Sequence, residues 1–263
     1  MRRPSPPPGV PMTTPRLPED DGAPDDPGER PYAHRPRPGP DPWDRPRGAR
    51  TPPPRGGPVF NAIPGVVLGL CAVILVGQLL DTLSAGGTYH RLSLWLGALA
   101  TGDLRQQFPT PPLGGLTPYV LHVFVHAGWL HAAINTMALL AFGAAAARPF
   151  GRGWRAAAGF LAFFFAAAIG GAVLHQLVFA NEASYMVGAS TAVSGVLAGA
   201  GWASGGRAGM MQLALPWLAV NMLLALLGLA FFLPIAWAGH VGGLAVGVFF
   251  YPAFVAAFRR RRF

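Results

Sequence analysis

Lysine is absent from this chain, cysteine occurs once, and acidic residues almost vanish after residue 58. The single cysteine, Cys71, excludes an intrachain disulfide and a thiolate metal site. No His-Glu-x-x-His run is present, so a zinc peptidase of that type has no ligands. From residue 60 to 258 the only acids are Asp81, Asp103 and Glu182. Asp103 sits in a loop and no second aspartate lies inside an apolar run, which excludes an aspartyl pair. No apolar stretch follows the opening charges, so no cleaved signal peptide is expected, and the first apolar run directs insertion.

What is present falls into two unlike segments. Residues 1–58 hold 19 of the 28 prolines, 10 of the 20 basic residues and 8 of the 11 acidic ones. Such a segment buries too little apolar surface to offset its ordering entropy, and is expected to be a disordered cytoplasmic tail. Residues 59–258 are expected to form an all-α membrane domain, and residues 259–263 a basic cytoplasmic end. The net charge of +9 comes from arginines alternating with prolines and acids in the tail, with no nucleic-acid module among them, so no nucleic-acid partner is expected. All basic residues being arginine, with Ala, Gly and Pro in excess, reads as a GC-rich bacterial coding sequence and points to an inner (plasma) membrane.

Six apolar runs are near the roughly 20 residues a spanning helix needs: 59–80, 123–147, 155–179, 187–205, 211–232 and 236–257. Arg148, Arg152 and Arg155 lie between the second and third, Arg207 between the fourth and fifth, and Arg259 to Arg262 after the sixth. Basic loops stay cytoplasmic, so both termini are placed inside. In the long first loop, 81–122, Leu92, Trp95, Leu96 and Leu99 recur at helical spacing and predict an amphipathic helix at the outer interface.

Polar, proton-exchanging side chains are expensive in hydrocarbon, and three runs carry them. His131 and Asn135 share a face of the second run at i and i+4, with His126 and His122 above them. Ser190 opens the fourth run, where unpaired N–H groups and the helix dipole favour a developing negative charge. His240 begins the sixth. The deduced topology brings all of these to one depth, just inside the outer surface. Each taken singly reads as helix-packing serine or interhelical glue; together they supply a nucleophile, a base and oxyanion donors. A metal site at His122, His126 and His131 lacks a carboxylate or thiolate and an even register, so no metal is expected.

The chain resembles the rhomboid family of intramembrane serine proteases. Its likeness is strongest at His126-Ala-Gly-Trp-Leu-His131-Ala-Ala-Ile-Asn135, Gly188-Ala-Ser190-Thr-Ala-Val-Ser194-Gly and Ala238-Gly-His240-Val-Gly-Gly. The resemblance implies a six-helix rhomboid-like bundle in which Ser190 attacks and His240 is the base, with no orienting aspartate. It further implies an oxyanion held by His131, Asn135 and the Ser190 N–H, with Gly188 and His126 in support. No cofactor is implied. The implied partners are membrane lipid and single-span membrane proteins, cut near the outer interface and admitted between the second and fifth spans beneath residues 231–237; oligomeric state is not implied. The sequence departs from the family at Thr191, where glycine usually follows the nucleophile, and at Thr117-Pro118, where a Trp-Arg pair is common. Thr191 is expected to crowd the site. Ser194, one turn deeper, is a competing nucleophile, and an inactive helix-binding relative is the rival reading; a small transporter would need an internal repeat, which the sequence lacks.

Overall fold

The computed structural model describes residues 63–227 and 235–259. The expected tail over 1–58, most of the 231–237 loop and the last four residues lie outside that range. Five described helices are long and apolar enough to cross a membrane. They are α1 (Gly65–Leu83), α3 (Trp129–Ala147), α4 (Trp154–Val178), α5 (Ser190–Leu226) and α6 (Trp237–Phe258), with the shorter α2 (Thr88–Gly97) in the first loop.

The expected fourth and fifth runs are one 37-residue element, α5, broken at Gly205 (φ −151°, ψ 22°) and Gly206 (φ 59°, ψ −143°). Unbroken, it would extend about 55 Å, well beyond a hydrocarbon core of about 30 Å. The positive φ at Gly206 is a conformation that glycine adopts without steric penalty. Past it the chain doubles back, because a Cβ on Gly201 would lie 2.6 Å from the Gly209 carbonyl oxygen. Trp217 on the returning arm donates its indole N–H to Ser194 Oγ on the first arm at 2.9 Å.

Two boundaries differ from the sequence reading. The second apolar run does not become helix until Trp129, because Gly128 (φ 102°, ψ 175°) interrupts it. His122–Phe124 form a separate 3-10 turn, and His126 lies in the link between that turn and α3. In the first loop, helix α2 stops at Gly97, where a side chain would strike Val125 and the Leu121 carbonyl. Leu99 therefore leaves the helical face and enters strand β1 (Leu99–Thr101), antiparallel to β2 (Ser184–Met186), with Leu99 opposite Met186. That pairing ties the first loop to the segment leading into Ser190.

With lipid outside, helix association rests on close packing rather than on the hydrophobic effect. Phe160, Phe163, Phe164, Phe150 and Tyr251 fill the wide part of the interior, and Tyr251 donates its hydroxyl to Ala146 O at 2.8 Å. Toward the other end glycines remove the side chains altogether. Gly242 lies on the Gly170 carbonyl, Gly247 on that of Gly195 and Gly243 on that of Thr191, each too close to admit a Cβ. This seam draws α6 against α4 and the first arm of α5, and the polar groups sit on it.

Candidate active site

His240, in the first turn of α6, and Ser190, the first residue of α5, meet across the seam: His240 Nε2 lies 2.8 Å from Ser190 Oγ. The other ring nitrogen, Nδ1, lies 2.8 Å from Asn221 Oδ1 on the returning arm of α5. Asn221 Nδ2 donates to the Trp217 carbonyl one turn back at 2.8 Å, which fixes which end of the amide faces the histidine. The imidazole proton therefore resides on Nδ1, and Nε2 presents its lone pair to the serine hydroxyl. The Trp217 ring lies against the imidazole, centroids 5.6 Å apart at 34°.

Sequence reasoning overlooked Asn221. The signal was available: it is an amide inside an apolar run, one turn after Trp217, and polar groups in such runs are functional candidates by default.

The turn ahead of the serine is fastened from the segment before α3. Gly188 (φ 111°) donates its N–H to His122 O at 2.8 Å, and Ala189 donates its own to His126 Nε2 at 3.3 Å. Within α5 the first intrahelical bond is Val193 N to Ala189 O, so the N–H groups of Ser190, Thr191 and Ala192 have no acceptor inside the helix. His131 lies over this turn; a Cβ on Gly188 would be 2.7 Å from its Nε2. Its Nδ1 accepts the Ala127 N–H at 3.3 Å, which leaves the proton on Nε2, a donor on the Gly188 side. Asn135 is buried and donates to the His131 carbonyl at 2.9 Å, while its Oδ1 has no partner among the described residues. The His126 ring meets His131 edge to face, centroids 5.0 Å apart.

Thr191 does not crowd the serine. One residue along the helix its side chain turns about 100° away and fills the space left by Gly171 and Gly239, whose added Cβ atoms would meet it at 2.7 and 3.0 Å. Its hydroxyl lies 2.8 Å from His122 Nε2, while His122 Nδ1 donates to the Pro118 carbonyl, also at 2.8 Å. Thr117-Pro118 thus has a role, because Pro118 carries the acceptor that orients His122. Ser194 is buried, donates to the Ser190 carbonyl at 2.7 Å and accepts from Trp217, with no imidazole on it. A cavity of about 860 Å³ lies under the first loop, lined among others by Trp95, Tyr119, Tyr185, His126 and Val187; it reaches the turn before Ser190 but not Ser190 or His240. No His, Cys, Asp or Glu cluster fit for a metal occurs among the described residues.

Complete burial pushes the His122 imidazole down to about 4, from an ordinary value of about 6.5. Between those values the unfolded chain takes up a proton that the folded one excludes, so stability present above pH 6.5 is lost as the pH falls toward 4. Thermal unfolding in detergent across this window should show the melting temperature falling with pH, and falling less steeply in His122→Gln. Identical slopes in the two proteins would mean that His122 is not held neutral by burial.

Apolar helices that enclose a serine, an imidazole and an amide define a helical integral membrane protein with a buried polar centre. The Rhomboid domain model matches residues 114–257, more than half of the chain, and the chain belongs to the rhomboid family of intramembrane serine proteases, some of whose members are inactive. No curated protein matches the sequence.

Proposed function

We propose that this chain is an intramembrane serine endopeptidase that cuts single-span membrane proteins near the outer interface. The observation that carries the reading is the 2.8 Å contact between His240 Nε2 and Ser190 Oγ, made where the glycine seam brings α6 against the start of α5. Ser190 Oγ bonds to the scissile carbonyl carbon while its proton passes to His240 Nε2. The oxyanion is held by the Ser190 N–H at the start of α5, by the Nε2–H of His131 and by the Asn135 amide. On collapse the C–N bond breaks and His240 returns the proton to the leaving amine. The oxygen of a water then bonds to the acyl carbon while the same imidazole takes its proton, and as the C–Oγ bond breaks that proton returns to Ser190 Oγ. Gly188 and His126 shape and brace the turn, and no cofactor enters.

The two arms of α5 make separate crossings in this reading, giving six in all, with both termini in the cytoplasm of a bacterial inner membrane. Ser190, His131 and His240 then lie a short way below the outer face, where water reaches them. A spanning helix satisfies its own backbone in lipid and must unwind before a carbonyl can be attacked, so substrates with small or helix-breaking residues at that depth are favoured.

The test is covalent labelling of the purified full chain in micelles by a fluorophosphonate probe. Labelling of the wild type and its loss in Ser190→Ala are expected. A wild type that captures transmembrane helices yet never reacts would make it an inactive helix-binding relative instead.

A further inference from the structure

The first arm of α5 carries the serine, but the returning arm holds the base. Asn221 is 1% exposed, with its oxygen on His240 and its nitrogen on the Trp217 carbonyl. Trp217, a turn before it, covers the face of the imidazole and is itself pinned by Ser194. The ring is thus gripped at one edge and on one face by a single stretch of helix. Nothing in packing alone calls for an amide here, because an aliphatic side chain of that size fills the volume without a buried polar group to satisfy.

We infer that Asn221 is a positioning residue that sets the tautomer and orientation of His240, so that the site works as a Ser190–His240–Asn221 triad with a neutral third member; this rests on the serine-protease reading of the same site. A neutral imidazole has two tautomers, and only the one protonated at Nδ1 can accept the serine proton. With a carbonyl oxygen facing Nδ1 that tautomer is selected. Without it the proton can settle on Nε2, where it donates to Ser190 Oγ and leaves the hydroxyl without a base. After proton transfer the imidazolium keeps an acceptor at Nδ1, while Nε2–H is turned toward the leaving amine. The amide carries no charge, so the arrangement avoids the desolvation cost that a carboxylate would incur at this depth.

Three variants test it: Asn221→Leu, which keeps the volume and removes the acceptor; Asn221→Ala, a truncation that introduces no clash; and Asn221→Asp, which keeps an oxygen toward His240. Each is purified as the full chain and compared with wild type by the rate of fluorophosphonate labelling. Cleavage of a single-span substrate is followed alongside, with kcat and KM separated. In Leu and Ala, labelling and kcat should fall on the order of 100-fold, the scale of general-base catalysis, with KM unchanged, and Asp should recover most of the loss. Wild-type rates in Leu and Ala would overturn the assignment. So would an equal deficit in all three, because the oxygen that Asp keeps toward His240 would then count for nothing. The wild-type arm reads the parent assignment by itself: labelling of wild type with unaltered Asn221 variants sinks only the positioning role, whereas an unreactive wild type removes both.

Discussion

Ser190→Ala should abolish cleavage of a single-span substrate, a loss of about four to six orders of magnitude, whereas Ser194→Ala should stay within about tenfold of wild type on the barrier scale of a lost neutral hydrogen bond. The two serines stand one helical turn apart, and the contrast follows from their partners. Ser190 Oγ faces a lone pair on His240 Nε2 at 2.8 Å. Ser194 Oγ spends its proton on its own helix and receives the Trp217 indole, so it has neither a base nor a free direction of attack. Its loss is felt in the fold instead. The half-buried Trp217 indole N–H is left without its acceptor, at a cost of at most about 1–3 kcal/mol, and thermal unfolding should show it. Gel assays of substrate cleavage at matched folded fraction separate the two effects. Activity that survives Ser190→Ala and disappears in Ser194→Ala would transfer the nucleophile to Ser194.

The polar groups could be read from sequence because lipid penalises them. Ser190, His131, Asn135 and His240 stand out in apolar text, and the expectation that they share one depth rests on the arginine pattern alone. Asn221 obeys the same rule, but no neighbouring glycine motif marks it and a lone amide in a span reads as glue. Conformation was harder to extract than chemistry. Residues 123–128 are apolar enough to begin a span, and only the φ of 102° at Gly128 ends that reading. In the same way the apolar spacing that predicts helix from Leu92 to Leu99 is cut short by Gly97, whose missing side chain is required by Val125 and the Leu121 carbonyl. The hairpin at Gly205-Gly206 was visible as a break between two apolar runs; its tightness, Gly201 on Gly209, was not. Thr191 shows the limit most plainly. A β-branched residue beside Ser190 looks like an obstruction until the fold supplies Gly171 and Gly239 to receive it and His122 to bond its hydroxyl.

That accommodation yields a second large effect. Gly243→Ala should destabilise the protein by about 3 kcal/mol or more, at the upper end of overpacking costs, and should lose labelling at Ser190 in proportion. An added Cβ at Gly243 would overlap the Thr191 carbonyl oxygen and come within 3.2 Å of that of Ala167. Both obstacles are backbone atoms inside helices, so no rotamer change relieves them; α6 must shift away from α5. That shift is directed at the Ser190–His240 contact, because Gly243 lies one turn after His240 and Thr191 is the neighbour of Ser190. The same geometry separates two kinds of rescue. At Gly239 an added methyl meets flexible atoms, Met186 Sδ at 2.5 Å and Thr191 Cγ2 at 3.0 Å, so Gly239→Ala should be milder and partly relieved by Thr191→Gly. Gly243→Ala meets the threonine's main chain, and Thr191→Gly should leave it unrelieved. Melting temperatures of these four variants beside wild type and Thr191→Gly alone, in one detergent, decide the matter. A Gly243→Ala variant within about 1 kcal/mol of wild type, a scale typical of conservative core swaps, would show that the seam yields and that close backbone contact is not what holds His240 against Ser190.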